Sequence, residues 1–132
     1  MFQDMTVVHV GRLWIGEAIE ARMRELVTDY HRYAQKFKKV DDYEVARDIY
    51  AQYLQAFPDS ESAYRLNFFY AELLYRLEKF EQAGEQYVKV FLQDKKGKWA
   101  EPSAEEAVRA YDEVVKDYDR ANKGKTVVAG AR

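Results

Sequence analysis

Cysteine is absent from this 132-residue chain, which excludes disulfides and thiolate metal sites. Histidine occurs twice, at His9 and His31, 22 positions apart and with no acidic partner at a recognisable metal spacing. Neither a metal nor a cofactor is therefore expected. An excess of charge of one sign is lacking too: 21 Lys and Arg stand against 23 Asp and Glu, a net charge of −2. A nearly balanced surface offers no general attraction to a phosphate backbone, so nucleic acid is not an expected partner. No apolar run approaches the roughly 18 residues that span a bilayer, and the start lacks the basic flank, apolar stretch and small-residue cleavage site of a secretion signal. The chain reads as not inserted in a membrane, and its length as one domain able to bury a core unaided.

What is present is aromatic and periodic. Tyrosine alone accounts for 11 residues, a side chain that packs its ring between helices while its hydroxyl reaches water or a polar partner. The segment Asp42-Tyr43-Glu44-Val45-Ala46-Arg47-Asp48-Ile49-Tyr50 returns thirty-seven residues later as Lys79-Phe80-Glu81-Gln82-Ala83-Gly84-Glu85-Gln86-Tyr87, with an aromatic, an alanine and a tyrosine in register. A repeated supersecondary unit buries its apolar face by stacking on a neighbour, which directs attention to an extended binding surface.

The spacing predicts five helices. From about 14 to 40, Ile15, Ile19, Met23, Leu26, Val27, Tyr30, Tyr33, Ala34 and Phe37 step by three and four. A second helix, 42–56, presents Tyr43, Ala46, Ile49, Tyr50, Tyr53 and Leu54, with Asp41 or Asp42 as its expected cap and Pro58 as its stop. The third, 61–77, carries Tyr64, Leu66, Phe69, Tyr70, Leu73, Leu74 and Leu77, a load that predicts burial on more than one side. The fourth runs to about 92 through Phe80, Ala83, Tyr87, Val90 and Phe91. The fifth, 102–118, opens on Pro102, suited to a first turn, and shows Ala104, Ala107, Val108, Tyr111, Val114, Val115 and Tyr118. Residues 1–13, with strand-like Thr6-Val7-Val8-His9-Val10 interrupted by Gly11, read as an arm or extended lead-in. A helical domain over 14–119 follows, then a tail over 120–132 without apolar periodicity.

These residues resemble the tetratricopeptide repeat (TPR), two antiparallel helices with aromatic and small residues at fixed places. Tyr30, Tyr33, Ala34 and Phe37, then Tyr43, Ala46, Tyr50, Tyr53 and Pro58, match one unit; Tyr70, Ala71 and Leu74, then Phe80, Ala83, Tyr87 and Val90, match a second. Asn67 stands where a bulky residue is usual, and the period is 37 where 34 is usual. The junction Phe57-Pro58-Asp59-Ser60-Glu61-Ser62-Ala63 resembles the extended repeats of bacterial outer-membrane assembly and Tol-Pal-associated envelope proteins. The resemblance implies an all-α, TPR-like right-handed α-solenoid of two helix pairs plus a capping helix, bacterial, and in the periplasm or cell envelope sooner than the cytoplasm.

The same resemblance places Thr28, His31, Gln35, Lys38 and Lys39, and then Arg65, Phe68, Glu72, Tyr75 and Arg76, on a concave groove. The peptide-binding set expected from it is His31, Gln35, Lys38, Arg65, Phe68, Glu72, Tyr75 and Arg76. Cations beside Phe68 and Tyr75 suit a segment with acidic and apolar side chains. Each of these charges can equally be part of a solvated helix face, and both aromatics can pack on a neighbouring helix. Lysine and asparagine clamp a chaperone's C-terminal carboxylate in some members of the family; His31 and Gln35 occupy those positions here, so that clamp is not expected. Catalysis has no foothold, since Ser60, Ser62 and Ser103 sit at turns or helix starts with no histidine placed beside them. The expected function is thus a non-enzymatic scaffold binding a protein or peptide partner. A self-assembling module is the alternative, with Trp14, Ile15 and Ile19 as apolar residues that a homodimer or further repeats would cover.

Overall fold

The computed structural model describes residues 2–130, with side-chain placements from 15 to 123. It is all-helical: α1 Phe2–Phe37, α2 Val40–Ala56, α3 Ala63–Arg76, α4 Phe80–Gln93 and α5 Ala100–Gly130, with no strand among the described residues. The chain divides into two compact units, Met1–Ala63 and Tyr64–Arg132, with the boundary at the first residue of α3.

The first unit is an antiparallel hairpin of α1 and α2. Residues 2–13 belong to α1 and do not form an extended lead-in. Propagating an established helix costs little compared with nucleating one, so the β-branched composition of 6–10 is overridden at this end. Lys38 turns the chain with φ 53°, a left-handed conformation that ends a helix without a glycine. Lys39 then caps α2 with extended backbone and no side-chain bond. The expected caps Asp41 and Asp42 instead lie in the first turn, where their charge still favours the helix N-terminus. At the other end Phe57 leaves helical geometry before Pro58, the constraint proline places on the residue preceding it. Between the helices Val27, Ala34, Ala46, Tyr50 and Tyr53 are buried. Tyr53 donates to Glu20 Oε1 at 2.6 Å and lies 2.8 Å from Ser60 Oγ. Glu20 also accepts from Arg24 Nε at 2.9 Å. The Arg24 bond, more than the Tyr53 one, holds the Glu20 carboxyl below its ordinary pKa.

The second unit packs α3, α4 and α5. Glu78, with φ 60°, turns the chain between α3 and α4. Their antiparallel pairing is fixed by polar bonds: Asn67 donates to Gln93 at 2.9 Å and accepts from Gln86 at 2.7 Å, and Tyr87 donates to Glu72 at 2.8 Å. Asn67, which departs from the repeat pattern, is thus a buried polar bridge between two helices. Phe68 stacks on Trp99 with ring centroids 4.4 Å apart, and around it Ala71, Leu74, Ala83, Tyr87, Val90, Ala107 and Ala110 form the core. As expected, α3 is buried on more than one side, since Leu66 and Leu73 are enclosed as well as Ala71 and Leu74. The loop 94–99 folds over Tyr64, whose hydroxyl accepts the Trp99 N–H at 2.9 Å. Gly97 faces that hydroxyl so closely that a Cβ would collide with it. α5 continues to Gly130, so residues 120–130, expected as a tail, are helical.

Burial reproduces the thirty-seven-residue repeat. Ala34 and Ala71, Ala46 and Ala83, Tyr50 and Tyr87, Tyr53 and Val90, and His31 and Phe68 are buried in pairs at that spacing. Alanine at such places lets helices approach closely. The turns do not follow the same spacing: the left-handed residues Lys38 and Glu78 are forty apart. In the first hairpin the turn therefore comes three residues earlier against its alanines, giving α2 about one extra turn at its start.

Candidate interaction surfaces

The eight residues expected to line a peptide groove divide into structural and accessible ones. His31 is buried, its Nδ1 2.7 Å from the Tyr50 hydroxyl and its ring edge-on to Tyr43. Burial lowers its pKa from 6.5 to about 4, so the neutral imidazole is the folded form. Phe68 is buried against Trp99 and Tyr87. Both side chains are largely covered within their own units, His31 by Tyr43 and Tyr50 of α2 and Phe68 by Trp99 and Tyr87. Glu72 is half-buried and engaged by Tyr87, an interaction that, after burial, pushes the Tyr87 hydroxyl pKa up. Tyr75 is half-buried, edge-on to Phe80 at 5.0 Å. Gln35 and Lys38 in the first unit, and Arg65 and Arg76 in the second, are exposed.

An apolar opening lies elsewhere, along α4 and α5 of the second unit. α5 carries two adjacent apolar stripes. Ala100, Ser103, Ala107 and Ala110 face the core and are buried. One residue further round, Ala104, Val108, Tyr111, Val115 and Tyr118 step by four and three, the seam spacing of a packed helix. Yet Val108 is 62% exposed, Val115 58% and Tyr118 67%. With Val88 and Phe91 of α4 the first part of this stripe walls a groove of about 410 Å³, edged by Asp112. Close approach of the two helices is permitted by Gly84, whose Cβ, were there one, would lie 2.8 Å from the Tyr111 ring.

The α5 rim of the groove is acidic. The 100° turn per residue sets Glu101, Glu105, Asp112 and Asp119 beside the stripe, on the side away from the core. All four are exposed, and none forms an ion pair with a described residue. The cations of α5 that are paired, Arg109, Lys116 and Arg120, engage Glu106, Glu113 and Asp117 instead; Lys123 follows Asp119 one turn on. On α4 the exposed residues beside Val88 are mixed in character and include Glu81 and Leu92. A second depression, of about 340 Å³ between α3 and α4, is lined mostly by polar side chains, Gln82, Glu85, Gln86 and Lys89.

The first unit has a surface of opposite character at the corner between its helices. Tyr33, Phe37 and Val40 are 47%, 54% and 63% exposed. Residues 32–40 hold four cations, Arg32, Lys36, Lys38 and Lys39, and no acid. The Tyr33 and Phe37 rings stack at 6.3 Å, and the ammonium groups of Lys36 and Lys39 stand 5.3 and 5.9 Å from the Phe37 ring. Arg32 pairs with Asp29, and Asp41 and Asp42 follow on α2. Further along α1, Ile15 and Ile19 are exposed; the Trp14 side chain lies outside the described residues.

The apolar residues of α5 were legible in the sequence, but the two-sided use of that helix was missed. Its signal is the doubling at 107/108 and 114/115, which an amphipathic helix with one partner does not need. No helix among the described residues is long and apolar enough to cross a membrane, and none of their His, Asp or Glu side chains cluster in groups of three or more fit to hold a metal ion. No protein-family model, curated protein or solved structure matches the chain.

Proposed function

We propose that the protein is a non-enzymatic interaction module of TPR-like helical repeats, the family's solenoid being the architecture this reading implies, and that it binds an amphipathic helix of another polypeptide along α4 and α5. Paired burial at a thirty-seven-residue spacing supports the repeat reading. The observation that carries the binding site is the outward stripe of α5, apolar at seam spacing and exposed where a helix of this composition is ordinarily covered. This seat replaces the groove expected from the sequence, two of whose aromatic and imidazole contacts are core residues.

The acidic rim specifies the occupant further. An apolar strip edged on α5 by Glu105, Asp112 and Asp119 favours a helix whose own stripe is flanked by Lys and Arg. Fluorescence anisotropy with a designed helical peptide, leucines at seam positions and lysines beside them, tests the reading. Saturable binding that Val108→Asp/Val115→Asp abolishes is the expected result; a peptide of the same leucine stripe with glutamate flanks should bind at least tenfold more weakly, about 1.4 kcal/mol. Equal binding by wild type and the double variant would remove the site.

A further inference from the structure

We infer that the helix that fits the α4/α5 groove is carried by the protein itself: the corner of α1 and α2 on a second copy docks there, so that copies associate head to tail. The inference rests on the proposed function, since it names the occupant of the same groove. One surface is an apolar trough with acids along its α5 edge; the other is an exposed apolar patch, Tyr33, Phe37 and Val40, among the cations Lys36, Lys38 and Lys39. The two are both apolar at the centre and opposite in charge around it. Tyr33 and Phe37 lie one turn apart on a helix, about 6 Å, the same step by which Ala104, Val108 and Tyr111 succeed each other along α5.

Charge also selects the mode of pairing. Two grooves face to face would oppose Glu105 and Asp112 to their own copies, and two patches would oppose lysine to lysine; like-charge juxtaposition disfavours both symmetric pairings. The remaining contact is heterologous, groove to patch, which leaves one free groove and one free patch on every pair and propagates unless it closes into a ring. The exposed Lys38, expected from the sequence to bind peptide, then serves as part of the ligand.

Two variants of the full chain test this, both altered at exposed positions. Val108→Asp/Val115→Asp spoils the groove, and Lys36→Glu/Phe37→Ser/Lys39→Glu spoils the patch. In sedimentation velocity at low salt the wild type is expected to grow in mass with concentration and to dissociate as salt is added. Each variant alone stays monomeric, and their mixture forms a one-to-one dimer and goes no further. A wild type that stays monomeric throughout, a mixture that stays monomeric, or either variant associating as the wild type does overturns the inference. The patch variant, with its groove intact, is also titrated with the lysine-flanked peptide. Peptide binding without self-association leaves the proposed function standing and removes this inference; absence of both removes the two together.

Discussion

His31 Nδ1 lies 2.7 Å from the Tyr50 hydroxyl inside the first hairpin, where the imidazole is only 8% exposed. Burial depresses its pKa from 6.5 to about 4. Because the unfolded chain takes up the proton first, the stabilising contribution is complete above pH 6.5 and is lost as pH falls towards 4. Loss across that window amounts to at most about 3 kcal/mol. In urea denaturation at pH 7 and pH 4.5, the double variant His31→Phe/Tyr50→Phe should lose clearly less stability than the wild type. Equal acid sensitivity would mean that the imidazole is not held neutral.

Gly84 and Tyr111 make a second test. A methyl at Gly84 would gain about 1 kcal/mol of helix propensity, but it meets the Tyr111 ring at 2.8 Å. In the wild type the clash should cancel or exceed the gain, because the ring must leave its place. In a Tyr111→Ala background, Gly84→Ala should stabilise by about 1 kcal/mol. A double-mutant cycle measured by denaturation should therefore return a coupling of about 1–2 kcal/mol, and additivity would place Tyr111 away from Gly84.

Ser103 is fully buried in the first turns of α5, and its Oγ has no hydrogen-bond partner among the described residues. Its place is that of a small residue in the row Ala100, Ser103, Ala107, Ala110. Ser103→Ala keeps the fit while removing an unpaired hydroxyl. A gain of about 1 kcal/mol in unfolding free energy is expected, and a loss would reveal a bond from this hydroxyl.

Ala46 and Ala83 are both 0% exposed at equivalent points of the two hairpins. Leucine at either should destabilise by about 1–3 kcal/mol through overpacking. The exposed Ala51 on α2 is the control, and Ala51→Leu should leave the melting temperature nearly unchanged. Similar melting of all three leucine variants would contradict the helix contacts described.

Helix count and the places of the buried alanines and tyrosines were legible because a period of three and four, repeated after thirty-seven residues, has one physical solution. Helix starts were less so. Asp41 or Asp42 looked like the cap of α2, but Lys38 adopts a left-handed turn, and Lys39 then opens the helix two or three residues sooner. His31 and Phe68 show why contacts of the expected groove face were hard to read: the rings that cover them, Tyr50 for one and Trp99 for the other, come 19 and 31 residues later. The groove escaped because apolar residues on α5 were read as one face. Only packing separates the stripe that faces Ala83 and Tyr87 from the stripe that faces outwards.

The central claim is that the outward stripe of α5 is a seat for a basic amphipathic helix. Amide chemical-shift mapping of the isotope-labelled protein, titrated with the lysine-flanked helical peptide, tests it most directly. The account predicts that the perturbed amides cluster at Val88, Phe91, Ala104, Val108, Tyr111 and Val115. Perturbations gathered at Arg65, Tyr75 and Arg76 instead, with α5 unmoved, would contradict it.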